Sequence, residues 1–434
     1  MKNSFKKSMV LLFIAMMGFT MINCPGKKSE DSSTLLGLLA IASSSSVAGS
    51  DLCDGVGVPN PTQVLEGNIN GAVTVSGSAL LRGTVNVTGG GSITILPKSV
   101  IFAERGSSLF IYENGRLTAQ GTAAQPICFT SANSVGQRAP GDWGGIVVVG
   151  NGTSTRTSTT EGTTPKTYPG TQDGIINLSY VIIEFVGNEV APGNELNGVS
   201  SYAVKSSTSS YDHVQIHRGL DDGFEWWGGN VGGQYLLVTG GMDDDFDMDE
   251  GFSGSLSYII GVKYPNSCGG TVSTDPHGFE MDGSDTNGSG GTGLTNPNVS
   301  NFTTLGQSIT AGEGMRFREG MRGTFTNGLV YGYLATNINC INNGGTAGNT
   351  NPTGSNTNIK VQSGKNVTLG AQCVALTASA ELTSIPIVDA GNIADCGIGG
   401  TKPDFTSTAA YATLGGGPVA QGKWWDGWTV YRAR

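Results

Sequence analysis

The chain has 434 residues, of which 24 are Lys or Arg and 34 are Asp or Glu, so its formal net charge is −10. An acidic surface repels phosphate backbones, which excludes nucleic acid as a partner and favours cations, basic partners or neutral glycans. Glycine is abundant at 69 residues, and charged residues make up only 13% of the chain. This composition predicts an all-β chain rich in turns.

The first residues have the features of an export signal. Three lysines precede an apolar run from Met9 to Ile22, which at about 14 residues is shorter than the roughly 20 that a membrane-spanning helix needs. The run ends at Met21-Ile22-Asn23-Cys24, which resembles a lipobox of the looser, spirochaete type. The sequence therefore predicts a signal peptide over residues 1–23 and lipidation, with palmitate among the acyl chains, at Cys24. The alternative is an ordinary signal peptide with a chance cysteine.

Residues 24–50 are predicted to be a lipidated tether, because their low complexity cannot build a core. The apolar stretch Leu35–Ile41 either touches the membrane interface or is simple linker, and we favour linker. Acyl chains contribute about 0.8 kcal/mol per buried methylene, so more than one chain holds such a protein firmly. The expected location is the outer membrane, at the cell surface or on the periplasmic face. Loss of residues 1–23 lowers the basic count from 24 to 21 against 34 acids, which makes the net charge −13.

Six cysteines remain once Cys24 is set aside, and none forms a C-x-x-C pair. An even number suits an oxidising compartment and up to three disulfides, and their spacing resembles no zinc site. The sequence does not select among the pairings that six cysteines allow. The disulfide candidates are Cys53, Cys128, Cys268, Cys340, Cys373 and Cys396.

An internal repeat dominates residues 51–434. Gly219–Trp226 and Gly241–Met248 align without a gap at a spacing of 22 residues, and weaker echoes begin at His277 and Met315 after loop insertions. Such a period indicates stacked repeats. Short alternating strands between glycine turns, repeated every 22 residues, are typical of a parallel β-helix whose coils stack on one another. The sequence therefore predicts a single β-helix domain, right-handed, with loop insertions.

Strand alternation assigns the repeat side chains to an inner and an outer surface. If the three repeat phenylalanines point inward, their second neighbours do so as well, which predicts an aromatic and thioether ladder inside the solenoid. The inward set is Phe224, Phe246 and Phe279 with Trp226, Met248 and Met281. The outward set is Glu225, Asp247 and Glu280 with Trp227, Asp249 and Asp282.

Nine carboxylates lie between Asp221 and Glu250. Stacked coils are about 4.8 Å apart, so like charges in one column destabilise each other. Arg318 is one candidate to cap that column, and bound Ca²⁺ is another, because calcium takes six to eight oxygen ligands. Asp245-x-Asp247-x-Asp249 resembles half of a calcium loop, although Gly251 comes one place too late. The candidate ligands are Asp221, Asp222, Asp243, Asp244, Asp245, Asp247 and Asp249. The alternative is a solvated acidic face, or aspartates that cap turns.

No catalytic motif stands out in the sequence. His213 and His217 are four residues apart on a predicted strand, but satisfied surface histidines are the favoured interpretation. A lyase would need bound calcium with a nearby base, for which the candidates are Lys263, Arg316 and Arg318. Trp227 and Trp143 are candidates for stacking on sugars, although packing in the core or in turns is the favoured role.

Several motifs resemble one bacterial family of secreted right-handed parallel β-helix proteins of unknown function. The resemblance covers roughly residues 60–430, and the motifs are specific only as a set. It implies a β-helix and export, and it carries no activity. The motifs are Gly141-Asp-Trp-Gly-Gly145, Asn194-Glu-Leu-Asn-Gly198, Asp221-Asp-Gly-Phe-Glu-Trp-Trp-Gly-Gly229, Asp243–Gly254 and Trp424-Trp-Asp-Gly-Trp-Thr429, with Gly121–Thr130 at the opening coils. The cysteine pattern and Trp227 are local departures from it.

Three functions follow as hypotheses. The favoured one is a surface-displayed binding or adhesin-like lipoprotein with a glycan or host-protein ligand, because a tether and a long solenoid are present without a catalytic set. The second is a polysaccharide-active enzyme, a lyase or a glycosidase, since carboxylate pairs are abundant. The third is a structural envelope lipoprotein. Enzymatic activity is the less favoured expectation.

Overall fold

The computed structural model describes residues 49–270, 272–284, 293–307, 312–341, 351–369, 373–393, 396 and 401–432. The predicted signal peptide, Cys24 and nearly all of the tether lie outside these residues. Within the described part of the chain, no helix is long and apolar enough to cross a membrane. The fold is a right-handed parallel β-helix, as predicted, because 24 strands join in one continuous sheet whose ladders are parallel.

The strands before residue 150 are β1 (Gln63–Ile69), β2 (Ala72–Val75), β3 (Ser78–Val87), β4 (Ser92–Ile95), β5 (Val100–Ala103), β6 (Ser108–Ile111), β7 (Arg116–Gln120), β8 (Ile127–Ser131) and β9 (Ile146–Val149). The next are β10 (Ser158–Thr159), β11 (Thr167–Tyr168), β12 (Ile175–Glu184), β13 (Glu189–Ala191), β14 (Asn194–Glu195), β15 (Val199–Tyr202), β16 (Ser210–His217), β17 (Phe224–Trp227), β18 (Gly233–Thr239), β19 (Phe246–Asp249), β20 (Ser255–Val262) and β21 (His277–Asp282). The last are β22 (Asn298–Leu305), β23 (Glu313–Arg318), β24 (Arg322–Tyr331), β25 (Thr336–Cys340), β26 (Thr353–Gln362), β27 (Asn366–Leu369), β28 (Ser379–Leu382), β29 (Ile387–Asp389) and β30 (Asp404–Ser407). The helical elements are α1 (Gly49–Cys53) and short 3₁₀ turns at Asn266–Cys268, Val374–Leu376, Gly391–Ile393, Ala409–Tyr411 and Val419–Gln421.

Each central coil has three faces. A long strand such as β16 bends once, so its first section, Ser210–Asp212, lies on one face and its second section, Val214–His217, on the next. A short strand such as β17 forms the third face. We call these the polar face, the sealed face and the acidic face. Coil-to-coil pairing stays in register on each of them, as in Ser210 with Asn177, Ile216 with Val238 and Glu225 with Asp247.

A single residue in the left-handed backbone conformation makes the bend between the polar and sealed faces. Tyr180, His213, Tyr235 and Tyr258 occupy this corner in successive coils with φ between 49° and 56°. Their rings stack with centroids 4.2, 4.4 and 5.3 Å apart, which offsets the cost of the left-handed backbone. The corner continues as an asparagine ladder, Asn301, Asn327 and Asn358, whose amides hydrogen-bond along the stack. A one-residue corner lets each long strand serve two faces without a loop.

The predicted inner ladder is confirmed. Phe224 stacks on Phe246 with ring centroids 6.0 Å apart, and Phe246 lies 5.2 Å from Phe279. All three rings are fully buried, as are Trp226, Met248 and Met281. Phe246 pairs in register with Phe279 although an insertion separates their coils. The register is fixed because a shift of one residue would turn these rings to the outside.

The six remaining cysteines form three disulfides, as predicted. The pairs are Cys53–Cys128, Cys268–Cys396 and Cys340–Cys373, with Cα atoms 5.5, 5.2 and 6.2 Å apart. The first ties α1 to β8, and the second ties the β20–β21 insertion to the C-terminal region. Both therefore fasten segments that lie outside the coils.

The C-terminal segment Trp424–Arg432 covers the sealed face. Its buried indoles pack on outward apolar residues such as Ile182 and Leu237. Gln215 donates to the carbonyl of Val430 at 2.8 Å. The Arg432 guanidinium ion-pairs with Glu184 at 2.6 Å and also with Asp54. Both ends of the described chain thus meet on this face.

Candidate functional site

The acidic face is built from the 22-residue repeat itself. Strands β17, β19, β21 and β23 stack in register, so equivalent motif positions form columns about 4.8 Å apart. One column consists of Asp222, Asp244 and His277. A second consists of Glu225, Asp247, Glu280 and Arg316. A third consists of Trp227, Asp249, Asp282 and Arg318.

Five of the seven predicted calcium ligands come together here. Asp221, Asp222 and Asp243 each offer an oxygen within 4.8 Å of the others, and so do Asp222, Asp244 and Asp247. Asp222 belongs to both triads, which makes them one continuous cluster. We call this cluster, with the cavity beside it, the acidic cleft.

Asp245 and Asp249 lie apart from these triads. Asp245 is fully buried and pairs with Lys263 at 2.9 Å. Asp249 accepts the backbone N–H of Glu250 at 2.5 Å.

Two of the aspartates in the cleft also cap turns. A carboxylate oxygen of Asp222 accepts the N–H of Asp244 at 2.9 Å, and Asp244 in turn accepts the N–H of His277 at 2.5 Å. This arrangement matches the turn-capping alternative for one oxygen of each residue. It also fixes both carboxylates in position within the cluster, and Asp244 pairs in addition with the His277 ring at 2.8 Å.

Four of the five cleft carboxylates carry raised pKa values, whereas Asp244 differs: burial alone would raise its pKa, but the adjacent charge of His277 lowers it. Burial, followed by the charge of Asp243, raises the pKa of Asp221 to about 9, and burial with Asp244 raises that of Asp243 to about 7. Burial and neighbouring acids also raise the pKa values of Asp222 and Asp247 well above the usual range. These shifts mean that several negative charges share a poorly solvated space with too few positive groups.

Positive charge gathers at the opposite end of the acidic face. The predicted contact of Arg318 with the column is confirmed, since its guanidinium lies 2.9 Å from Glu280. Arg316 stands in register with Glu280 and pairs with Glu313 at 2.8 Å. Burial alone would lower the pKa of His277, but the adjacent Asp244 carboxylate raises it to about 10. The carboxylates at this end therefore have positive partners within the protein, although burial and the charge of Asp244 still raise the pKa of Glu280 to about 8.

A cavity of about 390 Å³ opens beside Asp221 and Asp243. Its other wall comes from the β13–β14 insertion, which brings Glu189 and Glu195 to the same space. Glu161, from the β10–β11 insertion, joins them, and burial followed by nearby Glu195 raises its pKa to about 7. Sequence reasoning missed these three glutamates, because they lie in insertions that carry no repeat.

Only one of the two predicted sugar-stacking tryptophans reaches the surface. Trp227 is partly exposed and stacks on Tyr202, with ring centroids 6.0 Å apart. Trp143 is fully buried and donates to the carbonyl of Glu184 at 2.7 Å, so its packing role is confirmed. Both histidines are satisfied, as favoured, since His217 bonds the Arg432 carbonyl and His213 stacks between two tyrosines. The expected surface position is wrong for His217, which is fully buried because the C-terminal segment covers it.

The family follows from the sequence match. A family model described as a pectate-lyase-like β-helix domain matches residues 67–429. The chain belongs to this family. No curated protein and no solved structure is similar enough to the chain to give a match. The pectate-lyase-like β-helix fits both a binding protein and an enzyme. The three candidate bases for lyase chemistry, Lys263, Arg316 and Arg318, are each engaged in ion pairs with carboxylates.

Proposed function

We propose that this pectate-lyase-like β-helix is a lipid-anchored surface protein that holds Ca²⁺ in the acidic cleft and binds a glycan there. The observation that carries this proposal is the pair of carboxylate triads that share Asp222. Calcium takes six to eight oxygens from carboxylates and carbonyls, which the triads offer on two adjacent coils. A bound cation would offset the burial and the repulsion between neighbouring carboxylates that together raise the pKa values of Asp221 and Asp243.

The surroundings of the triads favour a glycan as the ligand. The cavity of about 390 Å³ leaves space beside Asp221 and Asp243 for a sugar whose oxygen atoms complete the calcium shell. The partly exposed Trp227 ring lies on the same face and provides an amphipathic stacking surface. Without calcium, the same cleft would repel any acidic sugar, so glycan binding is expected to depend on the ion.

Calcium titration followed by calorimetry and by thermal melting tests the proposal. We expect saturable binding of Ca²⁺ with a rise in melting temperature. Asp222→Asn removes a ligand from both triads and is expected to abolish most of the binding. Asp389→Asn, at an exposed position away from the cleft, is the matched control and should bind as the parent does. Equal calcium binding by the two variants would disprove the assignment of the site.

A glycan array probed with and without EDTA tests the second part of the proposal. Signals that require Ca²⁺ and disappear in Asp222→Asn would support glycan binding at the cleft. If the protein binds calcium but no glycan gives a signal, the ion has a structural role and the assignment of a glycan ligand is refuted.

The membrane anchor has its own test. Cys24 follows the lipobox-like Met21–Asn23, and dual acylation gives stable membrane binding. We expect incorporation of labelled palmitate that Cys24→Ala eliminates, together with release of the protein from the membrane fraction. Labelling that persists in Cys24→Ala would refute the anchor.

Glycoside hydrolysis is the second candidate, because one specific feature favours it. Asp221 and Asp243 flank the cavity with raised pKa values of about 9 and 7. At about pH 7, Asp221 is therefore protonated while Asp243 is partly ionised. Glycosidases use such an acid and base pair. Release of reducing sugars that Asp221→Asn abolishes would support it. Calcium should inhibit hydrolysis if these carboxyls are catalytic. It should instead promote glycan binding if the cleft is a calcium site.

A further inference from the structure

The polar face carries two long columns of uncharged polar side chains. Coil-to-coil pairing places one column along the first outward position and the second column two residues later. The first column is Thr74, Thr94, Thr118, Asn177, Ser210, Gly232, Ser255, Asn298, Thr324 and Ser355. The second column is Gln120, Ser179, Asp212, Gln234, Ser257, Ser300, Thr326 and Thr357.

These columns are accessible to solvent. Their side chains are exposed or half-buried, with Ser255, Asn298 and Thr324 among the exposed ones. The corner toward the sealed face is a single residue in each coil from Tyr180 onward, so no insertion starts there. The other two faces differ, since the C-terminal segment covers one and insertions partly enclose the acidic one. Within the described part of the chain, the polar face is therefore an uncovered, regular sheet surface.

The two columns are nearly free of charge although the chain has a net charge of −10. Asp212 is the one ionisable side chain in them, and it is bonded by His213 and by Gln234, the latter at 3.0 Å. Neighbouring rungs also bond each other, as Ser210 does to Asn177 at 2.9 Å. These bonds hold the hydroxyl and amide groups in fixed orientations, which lowers the entropy lost when a ligand binds.

A shallow groove crosses the face where glycines replace larger side chains. Gly232 and Gly233 leave a depression of about 550 Å³, which is bordered by Ser210, Asn230 and Ser255. A Cβ at Gly232 would lie 2.0 Å from the Ser255 carbonyl oxygen, so stacking of the coils requires glycine there. The result is a hydroxyl-lined and amide-lined trough within the regular array.

We propose that the polar face binds an extended, uncharged polysaccharide that runs along the solenoid axis. Rungs about 4.8 Å apart present the same pair of polar groups to a polymer at each step. A protein partner is disfavoured, because the columns lack the aromatic and arginine anchors that dominate protein interfaces. An acidic polymer is disfavoured as well, because the columns themselves carry no basic side chain; the exposed Arg116 and Arg322 lie beside them, at the start of β7 and of β24. The proposal goes beyond the calcium-dependent cleft and uses a different face.

Affinity electrophoresis in EDTA tests this surface apart from the cleft. The probes are hydroxyethyl cellulose, soluble starch and a neutral xylan, with polygalacturonate as the charged comparison. We expect at least one neutral polymer to retard the protein, in high salt as well as low salt, and polygalacturonate not to do so. The variant Asp222→Asn should migrate as the parent does, so loss of calcium binding and loss of this binding are distinguishable.

Removal of side chains from two adjacent coils supplies the decisive comparison. The test variant combines Ser255→Ala, Ser257→Ala, Asn298→Ala and Ser300→Ala. The control combines the same kind of change at exposed positions off this face, Ser134→Ala, Gln137→Ala, Thr163→Ala and Thr164→Ala. We expect the test variant to bind at least about tenfold more weakly and the control to be unchanged, since several hydrogen bonds are lost only in the first.

Three outcomes would overturn the proposal. These are the absence of retardation by every neutral polymer, retardation only by polygalacturonate, and equal retardation of the two variants. Circular dichroism checks that the test variant keeps its fold. If that fold is lost, the pair Ser255→Ala and Ser257→Ala on one coil makes the same comparison with a smaller expected loss.

Discussion

Arg432 is expected to hold the C-terminal segment on the sealed face. Its guanidinium lies 2.6 Å from the fully buried carboxylate of Glu184, and it also pairs with Asp54 near the start of the described chain. Arg432 itself is 13% exposed. The variant Arg432→Ala leaves Glu184 buried with its main ion-pair partner gone, which typically costs about 3–5 kcal/mol. We expect the lower end, about 3 kcal/mol, because Thr130 still donates to Glu184 at 2.9 Å.

The matched control is Arg82→Ala. Arg82 also pairs with a carboxylate, that of Glu104 at 3.1 Å, but the two side chains are 49% and 38% exposed. Water screens such a pair, so its loss is expected to leave the stability nearly unchanged. The two variants therefore remove the same side chain and the same kind of contact, and they differ mainly in burial.

Urea unfolding followed by tryptophan fluorescence is the appropriate assay, because Trp424, Trp425 and Trp428 are buried in the segment that Arg432 fastens. We expect the fluorescence transition of Arg432→Ala to move to clearly lower urea and that of Arg82→Ala to stay near the parent. Losses of similar size in the two variants, or a loss below about 1 kcal/mol for Arg432→Ala, would refute the argument that burial decides the strength of these pairs.

Three further predictions concern the ladder, the cleft and the disulfides. Phe246→Ala should destabilise the fold by about 3–5 kcal/mol in chemical denaturation, and Phe246→Leu by clearly less, because the cavity is smaller. In EDTA the melting temperature should fall from pH 5 to pH 9, since carboxyls ionise near 4 in the unfolded chain whereas the pKa values of Asp221 and Asp243 are about 9 and 7 when folded. Saturating Ca²⁺ should make the melting temperature depend less on pH. A melting temperature that stays constant from pH 5 to pH 9 in EDTA would contradict the prediction. Replacing Cys53 and Cys128 by serine should cost about 4 kcal/mol, given their separation of 75 residues, and an unchanged denaturation midpoint would count against it.

Much of the fold was predictable because it is periodic. Phe224 and Phe246 are 22 residues apart, and that single spacing indicates both the coil length and the inward column. The outward position of Asp247 follows from the same alternation, and the 22-residue spacing of Asp222 and Asp244 makes them equivalents in adjacent coils. Repetition makes neighbours in space recognisable as equivalents in sequence, which is why the ladders and the aspartate columns were visible.

The tertiary structure decided what does not repeat. The pairing of Cys53 with Cys128, the approach of Glu161 and Glu195 to the cleft, and the covering of one face by residues 424–432 depend on the path of insertions and termini through space. It also separated Trp143, which is buried, from Trp227, which is partly exposed. A regular strand fixes the direction of its side chains by alternation alone. A loop does not, so its contacts are set by packing against distant parts of the chain.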